Sequence, residues 1–145
     1  MMKFLGAALL ALSLSACQNS PSPWYQAYGT TSFPVAKEGM AALYIVRDKA
    51  PPDAPSIPIS MSRHPVGGLT GSTWMRLDLP PNPYDLRAFG SSESTELVIT
   101  VVAGETQFLL VQPKGTDDAE LLWLSQEDGR RLVRAGTQVG SYYNP

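Results

Sequence analysis

Apolar and polar positions divide the chain into three unlike stretches. Residues 4–14 (FLGAALLALSL) are apolar almost without a break. A run of about eleven is too short to span a bilayer as a helix, which takes roughly 20 residues. Behind Lys3 it has the form of the apolar core of a cleaved export signal. Residues 18–38 then turn to Pro, Ser, Thr, Gly and Asn and predict a tether. Trp24, Tyr25, Tyr28 and Phe33 are more aromatic than a spacer needs. Packing of the tether back onto the domain is the simpler expectation, and an aromatic contact with a lipid interface is the alternative.

From Gly39 onward, short runs of strand formers alternate with turn residues. Ala41–Arg47 is the first strand expected, and residues 50–55 (APPDAP) form a rigid connection that excludes a central strand. Residues 57–61 and 66–69 are shorter, weaker strands. Residues 72–79 alternate, with Trp74, Arg76 and Asp78 on one face and Met75, Leu77 and Leu79 on the other. Pro80-Pro81-Asn82-Pro83 forces a turn. Residues 84–89 alternate again, with Asp85, Arg87 and Phe89 opposite Tyr84, Leu86 and Ala88. The β-branched run at 96–103 predicts a central, buried strand. Gly104-Glu105 then predicts a two-residue hairpin returning along 106–112, and 120–125 a last strand or a short bridge.

One segment favours helix. Ser125 lies three residues before Asp128, basic residues follow toward 134, and Gly136 stands as a stop. Gly129 weakens that helix by about 1 kcal/mol relative to Ala. The expected fold is all-β, an antiparallel β-sandwich of about six to eight strands with at most one short helix near the C-terminus.

Composition narrows the function. The 145 residues are 43% hydrophobic and 17% charged with net charge −2, which describes a globular body. Mild acidity without a basic patch argues against nucleic acid as a partner. One cysteine allows no intrachain disulfide, and one histidine allows no multi-histidine metal site. That histidine, His64, sits in a polar turn beside Arg63 and reads as solvated. Residues 91–94 (SSES) form a loop with no nucleophile-elbow pattern. Asp117, Asp118 and Glu120 read as surface polarity in place of a calcium loop. Residues 67–71 hold spaced glycines without the lysine of a phosphate loop and read as a flexible loop. No catalytic residue, metal or cofactor is expected. Tyr44, Trp74, Trp123, Tyr142, Tyr143, Arg47, Arg76 and Arg87 remain, and most are expected to pack in the core. The candidates for contact with a partner are Trp74, Arg76, Arg87 and Trp123, because Trp and Arg are enriched at interface hot spots. Arg76 leads them because it shares a face with Trp74.

Two resemblances sharpen this. Leu14-Ser15-Ala16-Cys17 resembles the lipobox of bacterial lipoproteins. It implies cleavage after Ala16 and lipid on the Cys17 thiol and amine. Each buried methylene of those chains adds about 0.8 kcal/mol of membrane affinity. Gln18 in place of Asp implies, by the same resemblance, the outer membrane and its periplasmic face. The chain then divides into a signal at 1–16, lipidated Cys17 with its tether at 17–38, and a domain at 39–145.

The second resemblance rests on Ala41–Arg47, on Leu79-Pro80-Pro81 with Tyr84-Asp85-Leu86, and on 103–109 (AGETQFL). Together they resemble a family of bacterial envelope lipoproteins carrying a domain of unknown function, with an ALYIYR-like strand, an LPPG turn and an AGE-x-YFL hairpin. The family implies a transthyretin-like or carboxypeptidase-regulatory-like β-sandwich and brings no catalytic residues. Asn82-Pro83 and Gln107 depart from its pattern. The expectation is a non-enzymatic, lipid-anchored accessory domain that contacts another envelope protein. The alternative is a binder of glycan or peptidoglycan fragments, for which Trp74 and Trp123 would share one concave face. An enzyme would need His64 grouped with a carboxylate.

Overall fold

The computed structural model describes residues 33–143. The signal, Ala16, Cys17 and the tether aromatics Trp24, Tyr25 and Tyr28 lie outside the described residues. The strands are β1 (Ala41–Arg47), β2 (Ile57–Met61), β3 (His64–Leu69), β4 (Thr73–Leu79), β5 (Pro83–Phe89), β6 (Ser94–Thr100), β7 (Thr106–Lys114), β8 (Asp118–Trp123) and the short β9 (Thr137–Gln138). The single helix, α1, spans Gln126–Ala135. The strands form a β-sandwich of a five-stranded sheet, in order β8-β7-β1-β4-β9, and a four-stranded sheet, in order β3-β2-β5-β6. Most neighbours are antiparallel, but β1 pairs with β7, and β4 with β9, in parallel.

β1 explains the layering. All seven of its residues are buried. Ala41, Leu43 and Ile45 point into the core between the sheets, together with Met75, Leu77, Leu86, Ile99 and Leu109. Ala42, Tyr44 and Val46 point the other way, into a second cluster with Trp74, Phe108, Leu132 and Val133. A strand covered on both faces has no polar side to show, hence its unbroken apolar sequence. The five-stranded sheet is thus packed on one face by its partner sheet and on the other by α1. The four-stranded sheet is packed on its inner face.

α1 starts where its caps put it. The Ser125 hydroxyl accepts from the Asp128 N–H at 3.0 Å, and Glu127 and Asp128 occupy the first turn. Gly136 follows and donates its N–H to Val133 O at 3.3 Å.

Three expectations are corrected. The run at 96–103 is not a central strand: β6 is the terminal strand of its sheet, with Ser94, Glu96, Val98 and Thr100 exposed. β-branched composition reports strand formation, not depth. Gly104-Glu105 does not close a hairpin, because β6 and β7 belong to different sheets. Gly104, at φ +84°, instead donates to Met40 O as the chain crosses between layers. Finally, Gly67, Gly68 and Leu69 lie in β3, in line with the strand expected at 66–69 and not with the flexible loop read from the glycine spacing of 67–71.

Candidate functional site

Trp74 and Arg76 do share a face, as their alternation requires, but that face is closed. Trp74 is 8% exposed and packs at 5.5 Å from the Tyr44 ring, which stacks on Phe108 at 5.1 Å. Phe33 caps both Tyr44 and Phe108 edge-on, each at 5.7 Å, and the guanidinium groups of Arg130 and Arg134 lie over its ring. The segment from Phe33 to Lys37 is therefore a strap across the sheet. From Phe33 onward the described chain packs on the sheet, in line with the expectation that the segment ahead of Gly39 folds back on the domain.

Arg76 holds this strap. Its Nε and Nη2 donate to Asp78 Oδ1 at 3.1 and 2.9 Å. Nη1 donates to Tyr44 Oη at 3.1 Å and to Pro34 O at 3.4 Å, and Nη2 also donates to Val35 O at 3.0 Å. Lys37 completes the knot with an ion pair to Asp78 at 3.1 Å. Burial opposes the Arg76 charge, but Tyr44 and Asp78 outweigh it and hold its pKa above the ordinary arginine value. Every N–H of the guanidinium is engaged within the chain, so its geometry is that of an internal clasp.

Trp123 lies elsewhere. It pairs with Leu109 across β7 and β8, on the side facing the partner sheet, while Trp74 pairs with Val46 and faces α1. The two tryptophans thus occupy opposite faces of one sheet and form no common concave surface. Trp123 ends β8 and is 49% exposed. Arg87 stands on the outer face of the four-stranded sheet and ion-pairs with Glu96 across β5 and β6. Both side chains are half exposed, and such a pair contributes under about 1 kcal/mol.

What the structure brings together is a flank. β6 and β8 are the terminal strands of their respective sheets and lie alongside one another. They are joined at one end, where Ser92 and Glu93 donate to Asp117 O at 3.1 Å and Thr95 Oγ1 donates to the Asp118 carboxylate. Away from that junction four apolar side chains are exposed on different faces: Val98 on the outer face of the four-stranded sheet, Leu122 on the α1 side of the five-stranded sheet, Trp123 on that sheet's inner side, and Val102 just past β6. Val98 is 62% exposed. The opposite flank is closed by the C-terminal segment, where Val139 donates to Trp74 O and Tyr142 to Val66 O, each at 2.8 Å. Sequence reasoning found Trp123 but missed Val98, Val102 and Leu122. The signal available was the polar alternation of Ser94, Glu96 and Thr100, which marks one face of β6 as solvated and Val98 as the exception.

Beside this flank, the outer face of the four-stranded sheet forms an open trough of about 700 Å³ between Phe89 and Tyr142, bordered by Arg63, Asp85, Arg87 and Glu96. His64 is exposed at the start of β3, and its ring meets no carboxylate within ion-pair reach among the described residues. Asp117, Asp118 and Glu120 do not converge: Asp118 serves Thr95 and the Ala119 N–H, and Glu120 accepts from Gln112 at 2.8 Å. Among the described residues no group of three or more His, Cys, Asp or Glu side chains is placed to hold a metal. Nor is any helix there long and apolar enough to cross a membrane. No family model matches the chain, and neither does any curated protein or any solved structure.

Proposed function

We propose that the chain is a non-enzymatic, lipid-anchored docking domain of the bacterial envelope, held through Cys17 at the periplasmic face of the outer membrane. It receives an extended segment of another envelope protein along the β6–β8 flank. One observation carries the docking mode: two terminal strands lie side by side there with Val98, Val102, Leu122 and Trp123 exposed. A terminal strand offers backbone N–H and C=O groups in strand register, and exposed apolar side chains beside it give the incoming strand something to bury. An isolated exposed apolar residue needs no explanation; the support for this reading is that the two adjacent terminal strands and the residues just past β6 together expose four of them. The Cys17 anchor rests on the Leu14-Ser15-Ala16-Cys17 motif.

Photo-crosslinking in cells tests this. A crosslinking amino acid at Val98 is expected to capture a discrete envelope protein, whereas one at Val35, equally exposed on the strap, captures none. Val98→Lys, which places a charge on the edge, should abolish capture from a probe at Val102. Equal labelling from positions 35 and 98 would count decisively against the flank.

A further inference from the structure

At the other end of the flank, where the sheets open around the β6–β8 junction, lies an unusual arginine. Arg47 ends β1 and is 3% exposed, the one buried charged residue among those described. Its Nη1 donates to Pro55 O at 2.6 Å and Leu69 O at 2.8 Å. Its Nε is buried without a partner, and no carboxylate comes within 4.0 Å as an ion pair among the described residues. A buried charge without a counter-ion costs several kcal/mol, and desolvation accordingly lowers the Arg47 pKa. Arg47 lines a pocket of about 390 Å³ whose other walls include Ile57, Phe89, Pro113 and Ala119. Pockets of about 300–1,000 Å³ are the usual size for small ligands.

We propose that this pocket binds a small carboxylate carrying an apolar tail, with the carboxylate at Arg47 and the tail along Ile57, Phe89 and Ala119. The chemistry selects that class. One cation calls for one negative charge, and a planar guanidinium matches a planar carboxylate better than a point charge does. Asp118, which also lines the pocket, is engaged by Thr95 Oγ1 and the Ala119 N–H, and its own charge disfavours a dianion such as a phosphate monoester. The mostly apolar wall excludes a ligand that is polar throughout. The site is independent of the docking flank, since it stands at the junction end and uses none of Val98, Val102, Leu122 or Trp123.

The test uses the full chain carrying Cys17→Ser, so that no lipid competes, with octanoate, octanol and octyl phosphate as probes in titration calorimetry. Octanoate is expected to bind with a dissociation constant below about 1 mM, and octanol and octyl phosphate about tenfold more weakly or worse. Arg47→Met removes the charge at similar volume and should weaken octanoate about tenfold or more while leaving octanol unchanged. Phe89→Ala, at an exposed wall position, should weaken octanoate severalfold with a melting temperature within about 2 °C of the parent's. That variant keeps the test decisive if Arg47→Met does not fold. Octanol binding as tightly as octanoate, octanoate affinity unchanged in either variant, or no octanoate binding up to about 10 mM would each overturn the proposal.

Discussion

The ring of Phe108 lies against the bare backbone of Gly129, so close that a methyl group on Gly129 would collide with Phe108 Cβ, Cγ and Cδ1. Glycine is a poor helix residue, but here its missing side chain lets α1 settle onto β7. Gly129→Ala should therefore destabilise the fold, against the stabilisation of about 1 kcal/mol that helix propensity alone would give. Overpacking of this kind costs about 1–3 kcal/mol. Urea unfolding of the two proteins decides the sign, and a more stable alanine variant would mean that the helix has room to move.

Arg76 and the strap give a second expectation. Replacing Arg76 by Met strips the Pro34 and Val35 carbonyls and the Tyr44 hydroxyl of their common donor. The loss should be about 2 kcal/mol, since hydrogen bonds to a charged group are worth about 1.5–3. The more specific sign is local. Trypsin should cut after Lys37 faster in R76M than in the parent, at equal distance from each protein's own unfolding midpoint.

The two predictions mark where sequence reading succeeds and stops. Alternation in 72–79 and 84–89 is legible because each strand has two chemically different faces. The helix was legible from Ser125 and Asp128. What alternation cannot tell is which face is open. Trp74, Arg76 and Asp78 look solvent-facing, yet α1 covers Trp74 and the strap covers Arg76 and Asp78, and the aromatic excess around Phe33 is the one hint of it. A run such as 96–103 reads as central only because Val and Ile are strand formers at any depth. The link between Gly104 and Glu105 looks like a hairpin because turn chemistry is local, while membership of a sheet is not. The parallel β1–β7 pair depends on the chain first visiting the other layer, which no window of a few residues contains. Trp123 is a candidate by residue type alone, and Val98 and Val102 escape notice because they belong to or follow a strand of the other sheet.

Alkaline pH should find Tyr84. Burial first, and then the nearby Tyr143 hydroxyl, push its pKa from 10.0 up to about 12, while its own hydroxyl donates to Pro80 O at 2.8 Å. The folded state favours the protonated phenol, so its contribution is complete below pH 10 and is lost as pH rises through about 12. Tyr84→Phe cannot ionise. Between those pH values the parent should lose up to about 2 kcal/mol more stability than the variant does. Parallel slopes for the two proteins would refute the assignment.

The β2–β3 turn should be improvable. Met61 pairs with His64, leaving Ser62 and Arg63 as a two-residue loop with φ of 47° and 69°. Two positive φ values are what this hairpin geometry demands, and Asn-Gly meets the demand with less strain than Ser-Arg. Ser62→Asn with Arg63→Gly should raise stability by about 1–2 kcal/mol. Thermal unfolding measures it directly, and an unchanged midpoint would show the native pair to be unstrained.

The strap also fixes how the domain answers to force. Tension applied at Phe33 enters the described fold at the edge of an aromatic cluster and under the guanidinium groups of Arg130 and Arg134, and not at the end of a strand. The contacts at Pro34, Val35 and Lys37 yield one after another, as in peeling, before any load reaches the strand pairing of β1. Releasing 33–40 pays out up to about 30 Å of extended chain. The body of the sandwich stays intact meanwhile, so the strap acts as a mechanical fuse that yields ahead of the strands.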